Sequence, residues 1–183
     1  MRIISGKLKG KSINFLKNST TRPLKDSVKE SIFNIIMHSK FFNVEIKDSY
    51  VLDLYSGVGS FGLECISRGA KKVTFVEQDK IAYETLKKNL KQLSIIDQVV
   101  LINDKVENIF NKGEKFNIFF FDPPFADDGY IANLSLLKKN NFFKLRHIVI
   151  IHRERNTKDS LEEYLKVLLI KNYGRSKIIF GSF

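Results

Sequence analysis

The sequence predicts an α/β fold: a doubly wound, mostly parallel sheet with helices on both faces. Three observations predict it. Apolar runs of four to six residues alternate with amphipathic stretches from about residue 50 to residue 151, the βαβ rhythm of a parallel sheet with right-handed crossovers. The turn Gly57-Val58-Gly59-Ser60-Phe61-Gly62 lies between the first run and the first helical stretch, where such sheets bind ligands. The chain then closes on two apolar runs, Val167–Ile170 and Lys177–Phe180, around Asn172-Tyr173-Gly174-Arg175. That pattern reads as an antiparallel hairpin added to the sheet.

Taken in order, residues 1–15 alternate around Ser5-Gly6 and Lys9-Gly10 and predict a small β-hairpin. Residues 24–38 place Val28, Ile32, Ile35 and Ile36 at helical spacing. Hairpin and helix form an amino-terminal extension, with residues 1–21 as a basic arm and 22–183 as the main domain. Asn18-Ser19-Thr20-Thr21 is the natural joint. Strands are expected near 50–54, 72–77, 98–103, 116–121 and 147–151, and helices near 60–69, 79–93, 105–111 and 127–139. The run Phe116-Asn117-Ile118-Phe119-Phe120-Phe121 is a buried strand. Pro123 and Pro124 end it, because proline lacks the N–H that a central strand must donate.

Composition narrows the function. A length of 183 residues with 43% hydrophobic content suits one compact domain. No apolar run approaches the roughly 20 residues that span a bilayer. Met1-Arg2 leads into alternating residues rather than the apolar core of a signal peptide, so a cytoplasmic protein is expected. Cys65 is the only cysteine, which excludes an intramolecular disulfide or a cysteine cluster. It falls in a predicted helix as a small core residue. No His/Cys/acid grouping has metal-ligand spacing, so no metal is expected.

The net charge is +11. Residues 1–29 hold eight cations and one acid, +7 of that total. Lysine outnumbers arginine 24 to 7 in a chain rich in Asn, Ile and Phe, so some lysine is compositional drift. Drift does not explain the clustering. The segment reads as a polyanion-binding arm, with Arg2, Lys7, Lys9, Lys11, Arg22 and Lys25 as phosphate contacts.

The chemistry is carried by a few acids and two turns. Gly57, Gly59 and Gly62 match the dinucleotide pattern in a strand–turn–helix context. Glu77 ends the next strand, twenty residues after Gly57, where an acid can accept both hydroxyls of a ribose. Asp53 sits four residues before Gly57. A carboxylate there repels a pyrophosphate and attracts a cation, which favours S-adenosylmethionine over a nicotinamide dinucleotide; it can also simply hold the turn. Tyr55 either lines the ligand pocket or covers the turn. Asp104 follows the third strand and is either a ligand contact or a helix cap. Asp122-Pro123-Pro124-Phe125 ends the buried strand and presents a carboxylate, carbonyls and a flat ring. Those groups suit a planar base with an amino group: Asp122 and the Pro123 carbonyl accept its hydrogens and Phe125 stacks on its face.

These residues reach a known family. Asp53-x-x-x-Gly57-x-Gly59, Glu77, Asp104 and Asp122-Pro-Pro-Phe125 resemble class I S-adenosylmethionine-dependent methyltransferases that act on amino groups. Arg2-Ile3-Ile4-Ser5-Gly6, Lys9-Gly10-Lys11 and the block from Thr21-Arg22-Pro23 to Phe33-Asn34 resemble the opening of the RsmD family. That resemblance, over nearly the whole chain, implies a Rossmann-like methyltransferase fold and methylation of a guanine N2 in bacterial 16S ribosomal RNA. It also implies an adenine contact at Asp104. The expected partner is small-subunit ribosomal RNA, within an assembling or assembled 30S particle, and the enzyme is expected to be a monomer. Two rivals stand beside it. The Asp-Pro-Pro-aromatic turn also occurs in adenine-N6 methyltransferases, although no separate target-recognition domain is visible here. A catalytically silent RNA-binding assembly factor is the other, against which the intact Asp122 and glycine turn speak. His152-Arg153-Glu154-Arg155 follows the fifth strand and either lines the substrate side or, as the commoner case, is solvated charge; His38 and His147 read as incidental.

Overall fold

The computed structural model describes residues 1–16, 24–109 and 113–183. Helix α1 is Asp26–His38, strand β1 Tyr50–Leu54, α2 Ser60–Ser67, β2 Lys72–Val76, α3 Lys80–Leu93 and β3 Val99–Ile102. Then come β4 Phe116–Phe121, α4 Tyr130–Lys139, β5 Phe143–Glu154, β6 Lys166–Tyr173 and β7 Ser176–Ser182. One seven-stranded sheet runs in the order β3-β2-β1-β4-β5-β7-β6. All neighbours are parallel as far as β5, while β7 pairs antiparallel with both β5 and β6.

The sheet is buried on both faces. Alternate residues of β4 point to opposite layers: Phe120 packs with Phe33, Phe61, Phe75 and Leu86 on one face, while Phe119 and Phe121 pack with Tyr130, Leu134 and Leu137 on the other. This explains why β4 is apolar almost throughout. Phe61 stacks on Phe120 with centroids 4.1 Å apart and on Phe33 at 5.1 Å, which ties α2 to the sheet and to α1. Gly62 permits that approach, since a Cβ there would lie 2.3 Å from the Phe75 ring.

Two elements differ from the sequence expectation. The fifth strand runs on to Glu154 because β7 pairs with it throughout, His152 opposite Ile178 and Arg153 opposite Lys177. Ladder hydrogen bonds and buried acids make strand geometry available to charged residues. The stretch expected to be helical over 105–111 holds one 3₁₀ turn, Val106–Asn108; its last two residues lie outside the described residues.

The amino-terminal segment is docked on the domain. Ile3 and Ile13 are buried. Ile3 N donates to Lys11 O and Gly10 N to Ile3 O, with one antiparallel bridge between Arg2 and Ser12. Glu64 of α2, fully buried, accepts from Ile4 N at 2.8 Å, Ser5 N at 2.9 Å and Arg68 Nε at 2.8 Å. Lys29 is also fully buried; it donates to Arg2 O at 2.9 Å and lies 3.9 Å from Glu64. Burial lowers the Lys29 pKa despite the nearby Glu64 and Asp26 carboxylates. Lys29, one of the eight cations of the basic segment, is therefore a structural cation. Gly6, at φ +82°, turns against the Ser67 carbonyl, where a Cβ would lie 1.9 Å from its oxygen.

A candidate active site at the carboxyl edge of the sheet

Strand order reverses at β1 and β4, which lie side by side with Leu54 opposite Phe121. Their carboxyl ends open into a cleft of about 620 Å³, the position where open α/β sheets hold ligands. Asp53, Tyr55, Gly57, Glu77, Asp104, Asp122, Pro123 and Phe125 all line it. Gly59 does not: at φ +87° it packs inward, where a Cβ would come 2.4 Å from Leu86 Cδ1. Gly57 has the opposite role. At φ +56° a Cβ there would meet nothing within 4 Å, so the turn's backbone faces open space at the cleft.

Two of the upstream acids, Asp53 and Glu77, also shape the glycine turn. Asp53 is buried, and its Oδ2 accepts from Gly62 N at 2.9 Å. Burial pushes its carboxyl well up, helped by the Asp122 and Glu77 charges and opposed by the Gly62 hydrogen bond. A cationic ligand would relieve this arrangement and an anionic one would worsen it. Glu77 Oε2 accepts from Gly57 N and Oε1 from Asp79 N, each at 2.7 Å; burial raises its pKa too. A carboxylate oxygen has two lone pairs, so Glu77 retains acceptor capacity for hydroxyls. Asp104 is exposed and caps its own turn. Its Oδ1 accepts from Asn108 Nδ2 and Lys105 N, each at 2.7 Å, and these bonds lower its pKa.

Tyr55, in the left-handed region at φ +58°, accepts from Asn133 Nδ2 at 2.8 Å. Burial pushes its phenol up to about 12. Asn133 Oδ1 and Ser56 Oγ are buried with no partner among the described residues, and both residues line the cleft. Open backbone at Gly57, unpaired buried acceptors and a carboxylate strained by burial fit a nucleoside with a cationic end better than a dinucleotide.

The Asp122 turn is held from β5. Asp122 N donates to Leu54 O at 3.3 Å, and Asp122 Oδ1 meets His152 Nδ1 at 2.8 Å. The Phe125 ring stands edge-on to the His152 ring, centroids 5.5 Å apart. The Pro124 carbonyl accepts from Asp127 N and from Arg153 Nη1, so Pro123 is the proline whose carbonyl suits a ligand. Arg153 is 1% exposed. It donates from Nε to Asp159 at 2.9 Å and from Nη1 to Asp127 O at 3.1 Å, under the face of Tyr130. Burial alone would raise the Asp159 carboxyl, but hydrogen bonds from Lys177, Tyr130, Thr157 and Arg153 hold it down at about 2.

His152 and Arg153 thus correct the reading of solvated charge: both are buried, one on each face of the strand. The signal that finds them is the strand period. Carried two residues past the apolar run, it points His152 and Arg153 to opposite layers. His147 is not incidental either, since its Nε2 accepts from Phe183 N at 2.9 Å and ties down the last strand.

Of the basic residues, Arg2, Lys7, Lys9, Lys11 and Lys25 are exposed, and Arg22 lies outside the described residues. Met1, Phe15 and Leu16 reach the cleft. The loop between them extends along α2 to its far end, where Lys7 N bonds Ser67 O and Lys7 Nζ bonds Gln98. An eight-residue helix rises about 12 Å, so the lysine loop lies about that far from the cleft.

A family model described as Conserved hypothetical protein 95 matches residues 1–182. Ribosomal RNA small subunit methyltransferase D of Haemophilus influenzae is 36% identical over 160 residues, covering 85% of this chain and 80% of the relative. The protein of that name from Escherichia coli K12 is 30% identical over 154 residues, covering 84% and 75%. The solved structure of Escherichia coli yhhF, described as a methyltransferase, superposes with a TM-score of 0.83 at 26% identity, covering 99% of this chain and 96% of that one. The chain belongs to the Conserved hypothetical protein 95 family, the RsmD family that its amino-terminal block and Asp122 turn resemble.

Proposed function

We propose that this chain transfers a methyl group from S-adenosylmethionine to the exocyclic N2 of a guanine in 16S ribosomal RNA. The observation that carries this is the Asp122-Pro123-Pro124-Phe125 turn, fixed at the carboxyl end of β4 beside the cleft that Asp53, Gly57 and Glu77 line. The names of the relatives support RNA of the small subunit as the target. Bound S-adenosylmethionine supplies a methyl group activated by its sulfonium. Glu77 holds the ribose hydroxyls, Asp53 faces the cationic end and Asp104 serves the adenine. Asp122 and the Pro123 carbonyl accept the two amino hydrogens, which turns the nitrogen lone pair toward the methyl carbon. Methyl transfer to the nitrogen, with the sulfonium sulfur as leaving group, would leave one surplus amino proton, which Asp122 or water would take. Positioning supplies most of the acceleration. A base inside a duplex cannot reach this cleft, so the target guanine is unpaired or flipped out. On this reading the enzyme is a cytoplasmic monomer, acting on an assembling or assembled 30S particle. The test is methylation of unmodified small subunits with labelled S-adenosylmethionine, followed by mapping of the product. Label on guanine N2 is expected; label on adenine N6, or none, rejects the reading.

The exposed lysines predict a second result. Changing Lys7, Lys9 and Lys11 to Gln weakens RNA binding across sequences and flattens its salt dependence, by about 0.7 in slope for each phosphate no longer neutralised. The control is Lys138, Lys139 and Lys166 to Gln. Lys138 and Lys139 end α4 and Lys166 begins β6; all three are exposed and none lines the cleft. Equal decreases in the two triple variants, measured by filter binding against salt, would leave no dedicated RNA arm.

A further inference from the structure

His152 touches both groups assigned to the target base. Its Nδ1 lies 2.8 Å from Asp122 Oδ1, its ring packs edge-on to Phe125, and its Nε2 lies 2.9 Å from Ser176 Oγ. It is 4% exposed and comes from β5, which pairs with β4 through Phe121 and Ile151. The strand register therefore sets it beside Asp122. A neutral imidazole has one donor and one acceptor. With Nδ1–H given to the carboxylate, Nε2 accepts the Ser176 hydroxyl, and each contact fixes the other.

We propose that His152 is the positioning residue for methyl transfer: held by Ser176, it locks one oxygen of Asp122 and one edge of Phe125. The other oxygen of Asp122 then faces the cleft in a single orientation. The inference rests on the function proposed above, because it needs Asp122 to hold the target amino group. It assigns His152 no proton transfer and no contact with the reacting atoms. The commonplace alternative is that His152 merely fills space under the turn.

Two variants separate these roles. Asparagine at 152 carries a donor near the Nδ1 position and glutamine carries one near Nε2. His152→Asn keeps the Asp122 contact and loses Ser176; His152→Gln does the reverse. Single-turnover methylation of unmodified small subunits, KM for the subunit and calorimetric affinity for S-adenosylmethionine are measured on each. A misplacement of about 1 Å costs roughly hundredfold in rate. His152→Gln should therefore lose roughly tenfold to hundredfold in kcat, with KM and cofactor affinity changed less than about twofold. His152→Asn keeps the Asp122 contact but gives up the Ser176 anchor and the ring edge on Phe125, so it should lose less, roughly threefold to tenfold. Equal losses in the two variants, or a loss seen in KM or cofactor affinity rather than kcat, would overturn the positioning role. Should Asp122→Ala keep normal turnover with His152 intact, the role given to Asp122 fails first; should wild type leave guanine N2 unlabelled, the function proposed above fails.

Discussion

Asp122→Ala is expected to remove methyl transfer almost completely while the chain still binds S-adenosylmethionine. The carboxylate is assigned to the target base. The residue is held by Leu54 O through its backbone and by His152 through its side chain, and neither belongs to the glycine turn. Losing one preorganised acceptor at a reacting centre costs about 10²–10³ in rate, by analogy with removal of an oxyanion donor. Cofactor affinity should hold within about twofold, because the Asp122 side chain is assigned to the base and held by His152 rather than by the glycine turn. Asp122→Asn keeps the shape and one acceptor oxygen, so it should lie between wild type and alanine. Rapid-quench single turnover at saturating cofactor gives the rates, and calorimetry gives the affinities. Near-normal turnover by Asp122→Ala on a confirmed substrate would remove the proposed geometry. A matched loss of cofactor binding would instead move Asp122 to the cofactor side.

Much of this site is legible in the sequence because its parts sit at strand ends. A parallel strand buried on both faces must be apolar throughout, and the first residues free of that demand follow it directly. Glu77, Asp104 and Asp122 stand in that position after β2, β3 and β4. Glycines are equally readable, since Gly57, Gly59 and Gly62 each meet a backbone or packing demand that a side chain would violate or burden. What the sequence hides are long-range partners. Lys29 looks like one more arm lysine, and only Glu64, brought alongside it by the fold, turns it into a buried cation. His152 and Arg153 look like solvent residues because the groups that absorb their polarity, Asp122, Ser176, Asp159 and the turn carbonyls, are 6 to 30 positions away. The added strand β7 that lengthens β5 is itself legible; its pairing with those charged residues is not.

Arg153 therefore makes the second large prediction, on stability. Its guanidinium is 1% exposed and serves Asp159, the Pro124 and Asp127 carbonyls and the Tyr130 face. Arg153→Met removes the charge and leaves those acceptors buried or half-buried without their donor. Breaking a buried ion pair from one side costs about 3–5 kcal/mol. Lys177 still lies 2.7 Å from Asp159, which places the expected loss near the lower limit, about 3 kcal/mol. For a domain of this size that lowers Tm by roughly 6–12 °C. The loss has a pH signature. Asp159 is held at about 2, against about 3.9 when unfolded, so its stabilisation is full above the unfolded value and disappears as pH falls toward 2. Without Arg153 the folded carboxyl titrates higher, and less of that stabilisation exists to lose. The variant's Tm should therefore differ most from wild type at neutral pH, and the gap should narrow as pH falls toward 2, leaving the part owed to the lost carbonyl contacts. Arg153→Lys restores a cation beside Asp159 but cannot span the turn carbonyls with one ammonium. It should recover part of the stability and less of the turnover, because the Pro124–Asp127 end of the turn stays unanchored. Calorimetric Tm across pH 2–7, read beside single-turnover rates, decides this. Full recovery of both properties by lysine would show that charge alone, and not the guanidinium fork, holds the turn.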